Sequence, residues 1–385
     1  MIYLDHNATT PMLPSAVEVM MPFFRERFGN ASSAHEAGQE AAAALDTARR
    51  RVAGLLGAAS EDVVFTATGT ESVHTALVGA ARFRAEEGRH VVVSAIEHSA
   101  GLDAARRLAA DGFSVSSIPP LPGGRMDPGR VLDAVRPDTV LVSVMHANNE
   151  TGVLQPVGAI GAACRERGVW LHTDAIQSAG KVPLDVNALH CDMLSLAGHK
   201  FGGPKGAAAL WLRRGVRIDP LIPGRQEGGR RGGTPDTAAV AGLGAAALWA
   251  AESLPATAAG TAAIRDRFEA AVLASVPGAR VTGADVPRLP NTAHFTFGEE
   301  VGGDLVMALD LAGYAVSSGS ACTSGSEEPS HVLLAMGFSP AAAASAVRVS
   351  VGPDTPEEAA SGFARALAEA VRTRRGPETA ARSSA

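Results

Sequence analysis

An α/β architecture, with a mainly parallel sheet between helices and a smaller α+β unit after it, is what this sequence predicts. Three observations carry that expectation. From Val63 to Leu212, short β-branched runs alternate with longer helix-like stretches, the pattern of a sheet covered on both faces. Beyond Pro255 the alternation gives way to mixed helix and strand patterns. Apolar residues make up 46% of the chain and charged ones 19%, enough to fill a large core. At 385 residues there is room for about two to three domains of ~150 residues each.

The elements follow in chain order. VVFT (Val63–Thr66) reads as a strand, with a helix over Glu71–Glu86 behind it. HVVVS (His90–Ser94) precedes a helix over Ala100–Asp111. TVLVSV (Thr139–Val144) precedes one over Ile160–Arg167, and the strand WLHTD (Trp170–Asp174) follows. Met193–Leu196 and Ala207–Leu212 read as strands on either side of a Gly-rich turn. The Gly/Arg-rich segment Pro223–Asp236 then interrupts the pattern. A helix over Thr237–Ser253 is expected to break at Pro255, which has no N–H for the helical ladder. Next come a helix near Thr261–Ser275 and strands near Ala279–Thr282 and Thr292–Phe297. A helix over Asp304–Ala312, a strand over Val347–Val351 and a helix over Pro356–Arg372 complete the pattern.

Charge and composition exclude several classes. A net charge of −6 lacks the basic excess of a nucleic-acid binder. The opening MIYLDHNATT has neither a basic flank nor an apolar run, so no signal peptide is expected. Ala238–Ala251 reads as too short and too weakly apolar to span a membrane. Three cysteines, Cys164, Cys191 and Cys322, are too few and of the wrong parity for a disulfide framework and point to a reducing cytoplasm. None stand at CxxC spacing and the histidines are scattered, so no metal is expected. Of the 34 basic residues only Lys181, Lys200 and Lys205 are lysines. Lysine, unlike arginine, can lose its proton and attack a carbonyl. Any Schiff base on this chain therefore has three candidate sites.

In open α/β sheets ligands bind beyond the carboxyl ends of the strands, so the loops there hold the candidates. TATGTES (Thr66–Ser72) turns at Gly69 into a helix, a phosphate-binding arrangement that an ordinary Thr N-cap also produces. His98 follows the second strand, where a capping or structural histidine fits equally. Asn148, Asn149 and Glu150 form a polar cluster that is also compatible with local Asx bonding. Asp174 closes an apolar strand, so its carboxylate needs a cation or good hydrogen bonds. Lys200 sits in the crowded turn LAGHKFGGPKG, whereas Lys205 reads as a solvated surface charge. Cys322 stands in the Ser/Gly run SSGSACTSGSEEPS, which suits a travelling thiol, while Cys164 and Cys191 read as buried and inert. A strand-end Asp, a turn Lys, a Gly-Thr phosphate turn and a His able to stack on a ring together suit pyridoxal phosphate.

LDHNATTP, FGNASSAHEAG, GHKFGGPKG, SSGSACTS and AVRVSVG span nearly the whole chain. With these motifs the chain resembles the cysteine desulfurases of the class V aminotransferase group, fold-type I pyridoxal-phosphate enzymes, in the subgroup with a long mobile cysteine loop. The resemblance implies a large cofactor-binding domain over 15–255. Residues 1–14 and 256–375 would form a smaller domain carrying the cysteine loop, and 376–385 a frayed tail. It also implies that Lys200 bears the cofactor and that Asp174 partners the pyridine nitrogen. Gln177 would bond the phenolic oxygen and His98 stack on the ring, with His98 joining Lys200 and Cys322 in catalysis. Gly69, Thr70 and His199 would hold the phosphate, with Thr234 reaching the phosphate of the other subunit of a homodimer with composite sites. Asn149 and Arg348 would clamp the substrate carboxylate, Arg348 as a bidentate fork. Cys322 would accept sulfur from L-cysteine and pass it to an acceptor protein.

The chain departs from the family pattern at Ala197, where a phosphate-binding Ser is usual, at Val73 and His74 for Asp-Asn, and at Gly228 and Arg225 for Arg and Gly. Altered phosphate or loop contacts are inferred, with Arg230 or Arg231 as compensation. The implied reaction releases L-alanine and leaves a persulfide on Cys322, whose thiol is expected to be activated by cations such as a charged His98. Selenocysteine lyase, C–S lyase and aminotransferase chemistry are the rivals on the same fold. A catalytically weak assembly protein is the rival of another class.

Overall fold

A computed structural model describes residues 1–298, 301, 305–318 and 329–379, with side chains described to Arg374. The strands are β1 (Ile2–Tyr3), β2 (Val63–Thr66), β3 (His90–Ser94), β4 (Ser114–Ile118), β5 (Thr139–Ser143) and β6 (Trp170–Asp174). They continue with β7 (Met193–Ala197), β8 (Ala208–Leu212), β9 (Arg280–Val281), β10 (Thr292–Thr296), β11 (Tyr314–Ala315) and β12 (Val347–Ser350). Seven of them form the main sheet in the order β2-β8-β7-β6-β5-β3-β4. Only β8 runs against its neighbours; the other pairings are parallel. HVVVS, TVLVS, MLSLA and AALWL are buried at every position. Near-continuous apolar runs of this kind belong to strands covered on both faces. β4, SVSSI, is half-exposed at the sheet edge and is absent from the sequence-based expectation, because its alternating serines carry no strand signal.

Two further sheets are built mainly from the C-terminal part of the chain, β12-β10-β9 and the pair β1-β11, which the N-terminal strand joins. They surround a second core that includes Leu4, Phe268, Phe295, Val347 and Phe363. The N-terminal strand therefore packs with residues more than 260 positions away.

One helix joins the two cores. Thr237–Ser275 is a single 39-residue helix, capped by the Asp236 side chain on Ala239 N, and Pro255 does not break it. The bond that proline cannot make would fall on Ala251, and both residues are on the solvent side. An exposed carbonyl can be solvated, and the packing of the two halves into the two cores offsets a local cost of about 3 kcal/mol. Val240, Leu243 and Ala246 enter the first core, and Ile264, Phe268 and Val272 the second. The helix is long and apolar enough by composition to cross a membrane, unlike the shorter stretch read from the sequence, and 61% of its most apolar window is buried inside the protein. The C-terminal helix runs from Ala359 to Thr379, so the first residues of the expected frayed tail continue it.

Candidate active site

Because β2, β3, β5, β6 and β7 point the same way, their carboxyl ends deliver Thr66, Ser94, Ser143, Asp174 and Ala197 to one edge of the sheet. Each proposed cofactor-binding residue except Thr234 lines a single cavity of about 230 Å³ at that edge. At its β2 corner the Thr68 hydroxyl caps Glu71 N, and Ser72 N makes the first backbone bond of the helix, to Thr68 O. The amides of Gly69 and Thr70 therefore have no helical partner. A Cβ on Gly69 would stand 2.5 Å from Ile176 Cδ1, so any larger residue here would have to push the Ile176 side chain aside. His98 Nδ1 accepts from Ala100 N at 3.1 Å, capping the next helix, and the residue also lines the cavity. That bond leaves the ring proton on Nε2.

Asp174 is 4% exposed, and its Oδ1 accepts from Ile176 N at 2.8 Å. Burial pushes its carboxyl up to about 6, against the pull of the Ile176 amide and Lys200. A protonated ring nitrogen against it would restore the carboxylate. Lys200, in a turn after β7, donates from Nζ to Asn7 O at 2.7 Å and Ala8 O at 2.8 Å. Gln177 Nε2 donates to the same Asn7 carbonyl at 2.8 Å. His199 Nδ1 is 3.2 Å from Thr9 Oγ1. Burial, reinforced by Lys200, Lys205 and Lys181, lowers His199 to about 4. Arg348, on β12, is 2% exposed and donates from Nη1 to Asn149 O at 2.9 Å and from Nη2 to Asp5 Oδ1 at 2.6 Å. Asn149 Oδ1 and Arg348 Nε are buried with no partner among the described residues.

The expectation of a charged His98 is corrected. Burial, then Lys200 and His331, lower it to about 4, so the ring is neutral at pH 7 and cannot serve as the cation that activates a thiol. Thr234 lies apart, in a cavity of about 100 Å³ that it shares with Thr66, Glu227 and Arg231. Neither arginine inferred as compensation lines the main cavity. Arg231 pairs with Glu71 at 2.8 Å, while Arg230 is held by the carbonyls of Glu227 and Glu61. Gly228 has φ 65°, a left-handed conformation that an arginine would adopt only under strain. Cys322 lies outside the described residues. Cys164 and Cys191 are buried, and burial, with Asp192 adding, pushes both thiols up to about 12.

Sequence reasoning missed Asn7, Asp5 and Glu97, and saw Lys181 only as one of three lysines. Asn7 is 1% exposed and receives Lys200, Gln177, Lys181 and Asn291, while its Nδ2 donates to Thr292 Oγ1. LDHNATTP carried the resemblance, but nothing in its spacing shows where the segment folds back. Glu97 accepts Ser94 Oγ and Met145 N on Oε1, and its Oε2 is buried with no partner among the described residues. Burial, with Asp174 adding, pushes it up to about 8. The folded state thus favours the protonated form, and the stability this contributes is complete below the ordinary carboxyl value and lost as pH rises through about 8. Glu97→Gln, which mimics the protonated form, is expected to remove roughly 4 kcal/mol of the stability loss between pH 5 and pH 9. Denaturant titrations of the two proteins at both pH values check this, and parallel pH profiles would contradict it.

A lysine in a strand-end turn, an aspartate at the end of the neighbouring strand, and a glycine-threonine helix start around one cavity define a pyridoxal-phosphate enzyme. The family model described as aminotransferase class-V matches residues 2–362, and the chain belongs to that family. It is 42% identical over 375 residues to "Cysteine desulfurase IscS" of Anaeromyxobacter dehalogenans (strain 2CP-C), covering 96% of this chain and 92% of that relative. It is 44% identical over 359 residues to "Cysteine desulfurase NifS" of Azotobacter vinelandii, covering 93% and 89%. Among solved structures, a "NIFS-LIKE PROTEIN" superposes with a TM-score of 0.88 at 33% identity, covering 96% of this chain and 98% of that one. The fold is accordingly that of the fold-type I pyridoxal-phosphate enzymes.

Proposed function

We infer that this protein is a pyridoxal-phosphate-dependent cysteine desulfurase, which converts L-cysteine and the Cys322 thiol into L-alanine and a Cys322 persulfide. The observation that carries this reading is the meeting of Lys200, Asp174, Gln177 and His98 around one cavity in a chain so similar to named cysteine desulfurases. The residues present fit the cofactor. A Cβ on Gly69 would press on Ile176 at this turn, the amides of Gly69 and Thr70 have no helical partner among the described residues, and burial raises the Asp174 carboxyl in a way that a protonated ring nitrogen would offset.

Lys200 would carry the cofactor through Nζ, with Asp174 at the pyridine nitrogen, Gln177 at the phenolic oxygen and His98 against the ring. Gly69, Thr70 and His199 would hold the phosphate, joined by Thr234 of the partner subunit in a homodimer. Bound pyridoxal phosphate supplies an electron sink for charge developing at the amino acid's Cα. Arg348 and Asn149 orient the substrate carboxylate, for which the buried Arg348 Nε, without a partner among the described residues, and the neighbouring Nη atoms are donors. The Lys200 amine, free of the cofactor, would take the Cα proton as general base. His98, neutral with its proton on Nε2, offers that proton rather than a fixed positive charge. Cys322 Sγ takes the substrate sulfur and passes it to an acceptor protein. We read residues 15–255 as the cofactor domain and 1–14 with 256–375 as the second domain, working in a reducing cytoplasm.

Supplying purified protein and cofactor with L-cysteine, L-selenocysteine, or an amino acid plus a keto acid separates the rivals. Alanine from L-cysteine at the highest kcat/KM is expected, and efficient transamination would contradict the reading. Ala197 ends β7 against the same cavity, where the family has a hydroxyl. Ala197→Ser is expected to tighten cofactor binding about fivefold, the scale of one added hydrogen bond. Titration of the cofactor-free protein checks this, and unchanged affinity would place the phosphate elsewhere.

A further inference from the structure

We propose that Lys181 is a positioning residue whose hydrogen bond to Gln177 Oε1 sets which end of the Gln177 amide faces the cofactor cavity. This deepens the reading given under Proposed function and rests on it. Lys181 follows Gln177 by four residues and is only 9% exposed. Its Nζ donates to Gln177 Oε1 at 2.9 Å and to Asn7 Oδ1 at 3.1 Å. It does not line the cofactor cavity; it lines an adjoining cavity of about 300 Å³, and Lys200 borders both.

A glutamine amide has one accepting end and one donating end. With Oε1 held by Lys181, Nε2 must turn the other way, where it meets Asn7 O at 2.8 Å beside Lys200 Nζ. A flipped amide would set oxygen against the Asn7 carbonyl and would face Lys181 with its own N–H groups. It would also offer an acceptor to a ring oxygen that calls for a donor. Lys181 is itself fixed from the far side, because Asn7 Oδ1 also receives Asn291 Nδ2 at 3.1 Å. Burial, with Lys200 and Arg348 nearby, holds Lys181 well below the ordinary lysine range. A neutral amine still has two N–H groups for these two acceptors, so the arrangement survives loss of the proton.

The test uses holoenzyme loaded with pyridoxal phosphate. Lys181→Met is expected to shift the visible absorbance band of the bound cofactor and to lower kcat about tenfold with KM within about twofold, the scale of one lost hydrogen bond. In a Gln177→Ala background the same substitution is expected to change neither further, since its effect passes through Gln177. Lys181→Gln keeps an N–H donor and should retain the wild-type band, and it replaces the Met variant should that one fail to fold. An unmoved band in Lys181→Met, a shifted band in Lys181→Gln, or additive losses in the double variant would overturn the proposal. Absence of any cofactor band in the wild-type protein would count instead against the functional reading.

Discussion

Lys200→Ala is expected to give folded protein that shows no absorbance of lysine-linked cofactor and desulfurates L-cysteine at least about 10³-fold more slowly. The size of the effect follows from the scarcity of replacements. Lys205 is exposed, outside the cavity. Lys181 is nearer, but its amine is engaged by Gln177 Oε1 and Asn7 Oδ1 and faces the adjoining cavity. Lys200 alone borders the cavity that also holds Asp174 and His98. Near-normal turnover in this variant, followed by absorbance and alanine release, would end the assignment.

Cys322→Ser should behave in the opposite way toward the cofactor. It is expected to keep the full absorbance band while losing persulfide formation and at least about 10³-fold in alanine production. The remaining thiols offer no substitute. Cys164 and Cys191 are both 0% exposed, and burial raises each to about 12, so almost none of either is thiolate at neutral pH. Persulfide formed at the wild-type rate in Cys322→Ser would show that the nucleophile is another residue.

The central sheet was legible because its strands are buried on both faces and therefore apolar without interruption, as in HVVVS and TVLVS. The place of the site was legible for the same reason, since strand–helix alternation puts the ligand at the carboxyl ends of the strands. What escaped were features that local sequence does not encode. β4 is an edge strand of serines, and the helix through Pro255 survives only because tertiary packing holds both of its halves. Lys181 was visible as one of three lysines, but its partner Asn7 lies 174 positions away. The charge of His98 was misjudged because depth of burial, the largest cause of its shift, is a property of the folded chain. Its capping bond and its place at the cavity belong to one residue.

The account is tested most directly by incubating the purified protein with pyridoxal phosphate and L-cysteine, measuring alanine, and mapping added sulfur by peptide mass. It predicts alanine together with one extra sulfur on the peptide that contains Cys322. Absence of alanine, or sulfur carried by the peptides of Cys164 or Cys191 instead, would contradict it.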